Sequence, residues 1–130
     1  QKEMKTNEYN LNALINNTED MIWAIDKDYH VMVFNKAFSE YHERKGITVK
    51  KTMSIFDTVD EADTNFWKKH YDKALGGEQF TLVENFKTFT YEDEYLAISF
   101  NPIFSHANEI EGLSVFMKDV TELNPIRLDD

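Results

Sequence analysis

The chain has 130 residues, 42% of them hydrophobic and 14% aromatic, with a formal net charge of −10. That is the size of one domain with a real core and is too apolar for disorder. The charge argues against nucleic acid and anionic membrane as partners, since phosphate binding needs a basic footprint, and the lack of cysteine excludes disulfides, thiolate metal sites and thiol nucleophiles.

No apolar run approaches the roughly 20 residues of a membrane span, and no signal peptide is visible. The acidic residues are spread along the chain and read as a solvated surface. Beginning at Gln1 and stopping at Asp130 just past a strand, the chain reads as a segment of something longer. The domain is expected to be cytoplasmic, and its parent is free to be membrane-anchored.

Glu8 to Asn17 places Leu11, Leu14 and Ile15 on one face of an amphipathic helix. Its apolar stripe must pack on the sheet or on a second copy. Met21 to Asp26 reads as a strand, Lys27-Asp28-Tyr29 as a turn, and His30 to Asn35 as a second strand. Asn35 can cap a helix running to Lys45, with Gly46 as its stop. Met53, Ile55, Phe56 and Val59 are the buried candidates of the irregular stretch that follows.

Asp63 or Thr64 opens a helix ending at Leu75 before Gly76-Gly77, with Phe66, Tyr71, Ala74 and Leu75 inward. Glu78 to Phe86 is the third strand. Leu96, Ile98 and Phe100 alternate with polar or small neighbours, and regular pairing should weaken at Pro102. After a polar turn, Leu113, Val115 and Met117 alternate in the same way. The last two strands form a long hairpin with one apolar face, which needs a cover. The fold class is α+β: one five-stranded antiparallel sheet, its first two strands paired to the last ones, with helices on one face.

These residues resemble a PAS sensor domain over about Leu11 to Leu123. The resemblance rests on LINNTEDMIWAIDKDYHVMVFNKAF, FDTVDEADTNFWKKHYDKALGGEQF and YLAISFNPIFSHANEIEGLSVFMKDVTEL. Within these stand Asn35, Gly77-Glu78, Pro102, Gly112 and a closing Asp119-x-Thr121. It implies an N-terminal flanking helix over 1–18, a PAS core over 19–121 and the start of a linker over 122–130.

It also implies a non-catalytic sensory and dimerisation module of a bacterial signalling protein, such as a histidine kinase of a two-component system, a cyclic-dinucleotide enzyme or a regulator. An output domain would be covalently linked beyond Asp130. Asp119 and Thr121 match the family's relay position, where a carboxylate and a hydroxyl can fix the linker's exit by local hydrogen bonds. A homodimer is expected, with Leu11, Leu14, Ile15 and the outward Phe116 needing cover.

The cofactor is unknown. Flavin is disfavoured: the adduct cysteine is absent, and of the family's flavin-holding positions, aligned to Asn85, Leu96 and Met117, only the first is an amide. Haem is disfavoured too, since His70, its one candidate ligand, lies among Lys68, Lys69 and Asp72 on what reads as a solvated face. His30, His42 and His106 lack metal-ligand spacing, and no metal is expected. Asp57, Asp60, Glu61 and Asp63 lack the glycine of a calcium loop and read as caps and surface.

The pocket candidates are Trp23, Ile25, Val33, Phe56, Leu96, Ile98, Val115 and Met117, with Asn85 as the one polar anchor. Such a pocket suits an apolar or weakly polar ligand, a fatty acid or an aromatic metabolite. Two other readings stand beside this one. One is a dimerisation spacer whose core simply fills the space. The other is a ketosteroid-isomerase-like enzyme, which would need an inward carboxylate or tyrosine with a raised pKa.

Overall fold

A computed structural model describes residues 20–87 and 93–120. In chain order it shows β1 (Met21–Asp26), β2 (Val31–Phe34), α1 (Lys36–Glu43), short 3-10 helices at Ile55–Thr58 and Glu61–Asp63, α2 (Thr64–Leu75), β3 (Phe80–Lys87), β4 (Asp93–Phe104) and β5 (Ile110–Asp119). The strands form one antiparallel sheet in the order β2-β1-β5-β4-β3. The first two strands therefore join the last ones through the β1–β5 pair, as the element order predicts. The helix expected over Glu8 to Asn17, with Leu11, Leu14 and Ile15, lies outside the described residues, as does Thr121.

Alternation decides which side chains the sheet buries. Leu113, Val115 and Met117 of β5 and Ile98 and Phe100 of β4 are buried, while Phe116 is exposed on the opposite face. Phe38 of α1 and Tyr71 and Ala74 of α2 close over them, with Ile55 between the helices. Each large apolar side chain buried in this way contributes on the order of 1.5–3 kcal/mol. In α2 the inward stripe is Trp67, Tyr71 and Ala74, while Phe66 and Leu75 are half-buried at its flanks. That is the i, i+4, i+7 spacing of a helix face, rotated toward Trp67 from the stripe the sequence suggests.

Asn35 starts α1. Its Oδ1 accepts from the Phe38 amide at 3.0 Å and from the Ile22 amide at 3.1 Å, and its Nδ2 donates to the Asp20 carbonyl at 2.8 Å. One buried amide thus caps the helix and holds β1 beside it. The helix ends at Glu43 rather than Lys45. Gly46, at φ +84°, turns the chain so that the Ile47 amide donates back to the His42 carbonyl at 2.9 Å.

Two strand expectations are corrected, while pairing does weaken around Pro102. Val33 is exposed, and Val31 is the inward residue of β2. Strict alternation would put both on one face, but Ile25 pairs with Val31 and Ala24 with Val33, leaving Met32 as an extra residue. This bulge reverses the side-chain parity. Asn85 is also turned outward. It pairs with Tyr95, whereas Glu84 pairs with Leu96 in the inward set of Phe80, Leu82 and Glu84. β4 runs through Pro102 to Phe104, and from Asn101 onward only β5 pairs with it, because β3 begins opposite Phe100. A proline is tolerated at such an edge.

Candidate functional site

A cavity of about 90 Å³ lies between the helical layer and the β1–β5–β4 part of the sheet. The sheet supplies Met21 and Trp23 from β1, Met117 from β5 and Leu96 from β4. The helical layer supplies Phe38 and His42 from α1, Trp67 and Tyr71 from α2, and Ile55, Thr58 and Val59 between them. Tyr41, Lys45, Asp60 and Asp63 also border the cavity; all but the half-buried Tyr41 are exposed and form its mouth.

Of the residues expected to line a pocket, Trp23, Leu96 and Met117 do so. Ile25, Ile98 and Val115 are fully buried in the packed core, and Phe56 packs against Tyr29 at 5.1 Å; none of these four borders the cavity. Val33 and Asn85 point away from it, so Asn85 is not its polar anchor. The carboxylates of Asp60 and Asp63 also border it, but they are exposed at the mouth rather than desolvated inside it. Asp119 ends β5, exposed and opposite Leu96.

The polar groups of the cavity come from positions that sequence patterning reads as core or surface. The Trp23 indole donates to the Tyr71 hydroxyl at 3.2 Å, joining β1 to α2 across 48 residues of chain. Burial pushes the Tyr71 phenol far above its ordinary range, partly offset by the bond from Trp23, so it stays protonated. His42 is buried with its Nδ1–H donating to the Phe38 carbonyl at 2.8 Å, which leaves Nε2 as an acceptor on the neutral ring. Burial lowers its pKa, opposed by the Phe38 carbonyl and reinforced by nearby Lys45. The Thr58 hydroxyl donates to the Ile55 carbonyl at 2.6 Å and keeps its lone pairs. The available signal was helical spacing: Phe38 with His42 and Trp67 with Tyr71 are i, i+4 pairs on the inner faces of their helices.

His70 is not on a solvated face. Its ring stacks on Phe100 at 5.7 Å and 24°, its Nδ1 bonds the Phe66 carbonyl at 2.7 Å, and it does not border the cavity. Nor does the cavity as packed have room for a porphyrin or a flavin ring, being smaller than the ~150 Å³ that accepts a single benzene. In the β1–β2 turn, Asp26, Asp28 and His30 bring potential ligand atoms within 4.8 Å of one another. One Asp26 oxygen already accepts from the Asp28 and His30 amides, at 2.9 Å each, which makes this group a turn closure. Among the described residues, no helix is long and apolar enough to cross a membrane.

No protein-family model and no curated protein sequence matches the chain. Solved structures do. The phage VqmA–DPO complex is similar with a TM-score of 0.71 at 15% identity, over 96% of this chain and 57% of that one. A sensory box sensor histidine kinase from Vibrio cholerae is similar with a TM-score of 0.60 at 19% identity, over 92% and 94% of the two chains. The PAS domain of Bordetella pertussis BvgS is similar with a TM-score of 0.60 at 17% identity, over 98% and 96%.

Proposed function

We propose that this chain, which has the PAS fold, is a non-catalytic signal-input module that binds a small ligand between α1, α2 and the sheet and passes the change to the chain beyond β5. The observation that carries this reading is the position of Met117, which borders the cavity two residues before Asp119 at the end of β5. A ligand that displaces Met117 acts on the strand from which the following segment departs, with Asp119 and Thr121 as the relay. The similar structures include a sensory box sensor histidine kinase, which favours signalling over catalysis, and a protein solved in complex with DPO, which favours a binding role.

The proposed assembly is a homodimer with an output domain linked beyond Asp130. Phe116, exposed on the outer sheet face, would be covered together with Leu11, Leu14 and Ile15. Native mass spectrometry of the purified chain, paired with its absorption spectrum, tests the ligand reading. A bound small mass in a colourless sample is the expected result. A Soret or flavin band overturns the proposed ligand class. A bare chain that takes up no small molecule on titration leaves the dimerisation spacer.

A further inference from the structure

We propose that the paired thioethers of Met21 and Met117 form an oxidation-sensitive site, at which a peroxide converts methionine to its sulfoxide and disturbs the end of β5. This modification is separate from ligand binding and holds whether or not the cavity takes a ligand.

The sequence carries no cysteine, so the thioethers of its five methionines are the side chains a peroxide oxidises most readily. Met21 and Met117 lie directly opposite each other in the β1–β5 pair. Alternation turns both side chains to the inner face, Met21 with Trp23 and Met117 with Val115, and both border the cavity. Met117 is only 8% exposed, and Met21 is half-buried. Burial by itself would protect Met117, but the cavity gives a small oxidant access to it. At about 90 Å³ it has room for hydrogen peroxide, a molecule little larger than water.

The step is a two-electron oxygen transfer. A sulfur lone pair attacks one peroxide oxygen, an S–O bond forms and the O–O bond breaks. The proton of the attacked oxygen passes to the leaving hydroxide, which departs as water. Sulfur is oxidised and the peroxide reduced by the same two electrons.

The product is polar where the thioether was apolar. Met117 pairs with the fully buried Ile98, and Leu96 borders the same space. Neither side chain carries a donor, and the Trp23 indole N–H is already given to Tyr71. A sulfoxide oxygen buried among them lacks a hydrogen bond, so the side chain must turn toward the mouth. That movement pulls on β5 two residues before Asp119. The Val120 amide, which donates to the Tyr95 carbonyl at 2.9 Å, lies just beyond and reports it.

Two other methionines serve as internal controls. Met32 is 42% exposed on β2, where a sulfoxide stays in water. The Met53 sulfur accepts from the Lys50 amide at 3.1 Å, which engages one of its lone pairs.

The test treats the intact chain with hydrogen peroxide, assigns each added oxygen by peptide mapping and follows hydrogen exchange of the Val120 amide. We expect Met21 and Met117 to oxidise within about tenfold of the rate of Met32, and Val120 exchange to rise about tenfold. The Met32→Leu chain should respond in the same way. The chain carrying Met21→Leu and Met117→Leu should keep its Val120 exchange unchanged on treatment. Should that chain fail to fold, protein grown with norleucine in place of methionine supplies the thioether-free comparison.

Met117 left intact, oxidising about a hundredfold more slowly than Met32, overturns the proposal. So does oxidised Met117 with Val120 exchange as in the untreated chain, or a Val120 response that the thioether-free chain shares. None of these results touches the ligand reading, whose own test uses no oxidant.

Discussion

A Cβ atom built on Gly112 would lie 2.2 Å from the backbone carbonyl oxygen of Ile25. Gly112 stands in β5 between β1 and β4, pairing with Asp26 on one side and Ile103 on the other. What a side chain would meet is backbone, which cannot swing aside. Gly112→Ala is expected to cost about 1–3 kcal/mol, the range of overpacked cores, by forcing β1 and β5 apart. Urea unfolding measures it, and a midpoint equal to that of the unaltered protein would contradict the close approach.

Asn35 serves both α1 and β1, so its loss should exceed that of an ordinary helix cap, about 1 kcal/mol. Asn35→Ala removes an acceptor shared by two backbone amides and leaves the half-buried Ile22 amide short of a partner. The expected cost is about 2–4 kcal/mol. Asn35→Asp keeps the acceptor but loses the bond to the Asp20 carbonyl, and should fall between the two. Thermal unfolding of the three proteins ranks them.

The Trp23–Tyr71 bond gives a testable coupling. Tyr71→Phe leaves the Trp23 indole N–H buried without its acceptor, which is expected to cost about 1–3 kcal/mol. Trp23→Phe should then cost less in the Tyr71→Phe protein than in the unaltered one, because the indole N–H it removes has already lost its acceptor. A double-mutant cycle of Tyr71→Phe with Trp23→Phe measures this, and additive losses would show that the pair is not coupled.

Burial lowers the His42 pKa below its ordinary 6.5. As pH falls, the unfolded chain takes up the proton first while the folded ring stays neutral. Stability should therefore decline from about pH 6.5 downward, and level off once the folded ring also protonates. His42→Phe should lack this part of the pH dependence. Unfolding midpoints taken between pH 7.5 and 5 report the difference.

On the surface, the Asp72 carboxylate accepts from Lys68 at 2.9 Å and from the Tyr29 hydroxyl, tying the β1–β2 turn to α2. Lys68 first, and Tyr29 second, hold the Asp72 carboxyl below its ordinary range. A depressed carboxylate stabilises the fold above its unfolded value of about 3.9, and that contribution disappears as pH falls through the folded value. Asp72→Asn should produce a small loss at neutral pH, as exposed pairs do, that shrinks below about pH 4. A loss that persists unchanged at pH 3 would contradict the assignment.

Local patterns determined most of the architecture. The alternation of Leu113, Val115 and Met117, the cap at Asn35 and the stop before Gly46 and Gly76-Gly77 all report on neighbours a few residues away. They are legible because a strand or a helix converts spacing directly into direction. No family model matches the chain, yet its fold does match known structures, and these local devices account for the fold without close sequence likeness.

What only the tertiary structure decided is where one residue more or less changes the answer. Met32 is an ordinary alternating residue in the sequence, but in the β1–β2 pair it is the bulge that turns Val33 outward. Asn85 and Glu84 are adjacent polar residues, and only the β3–β4 register shows that Glu84 faces inward. The cavity depends on contacts between distant segments. Trp23 meets Tyr71 across 48 residues, and His42 borders the same space from another helix. Register and cavity shape are set by long-range pairing and packing, and short-range spacing carries neither.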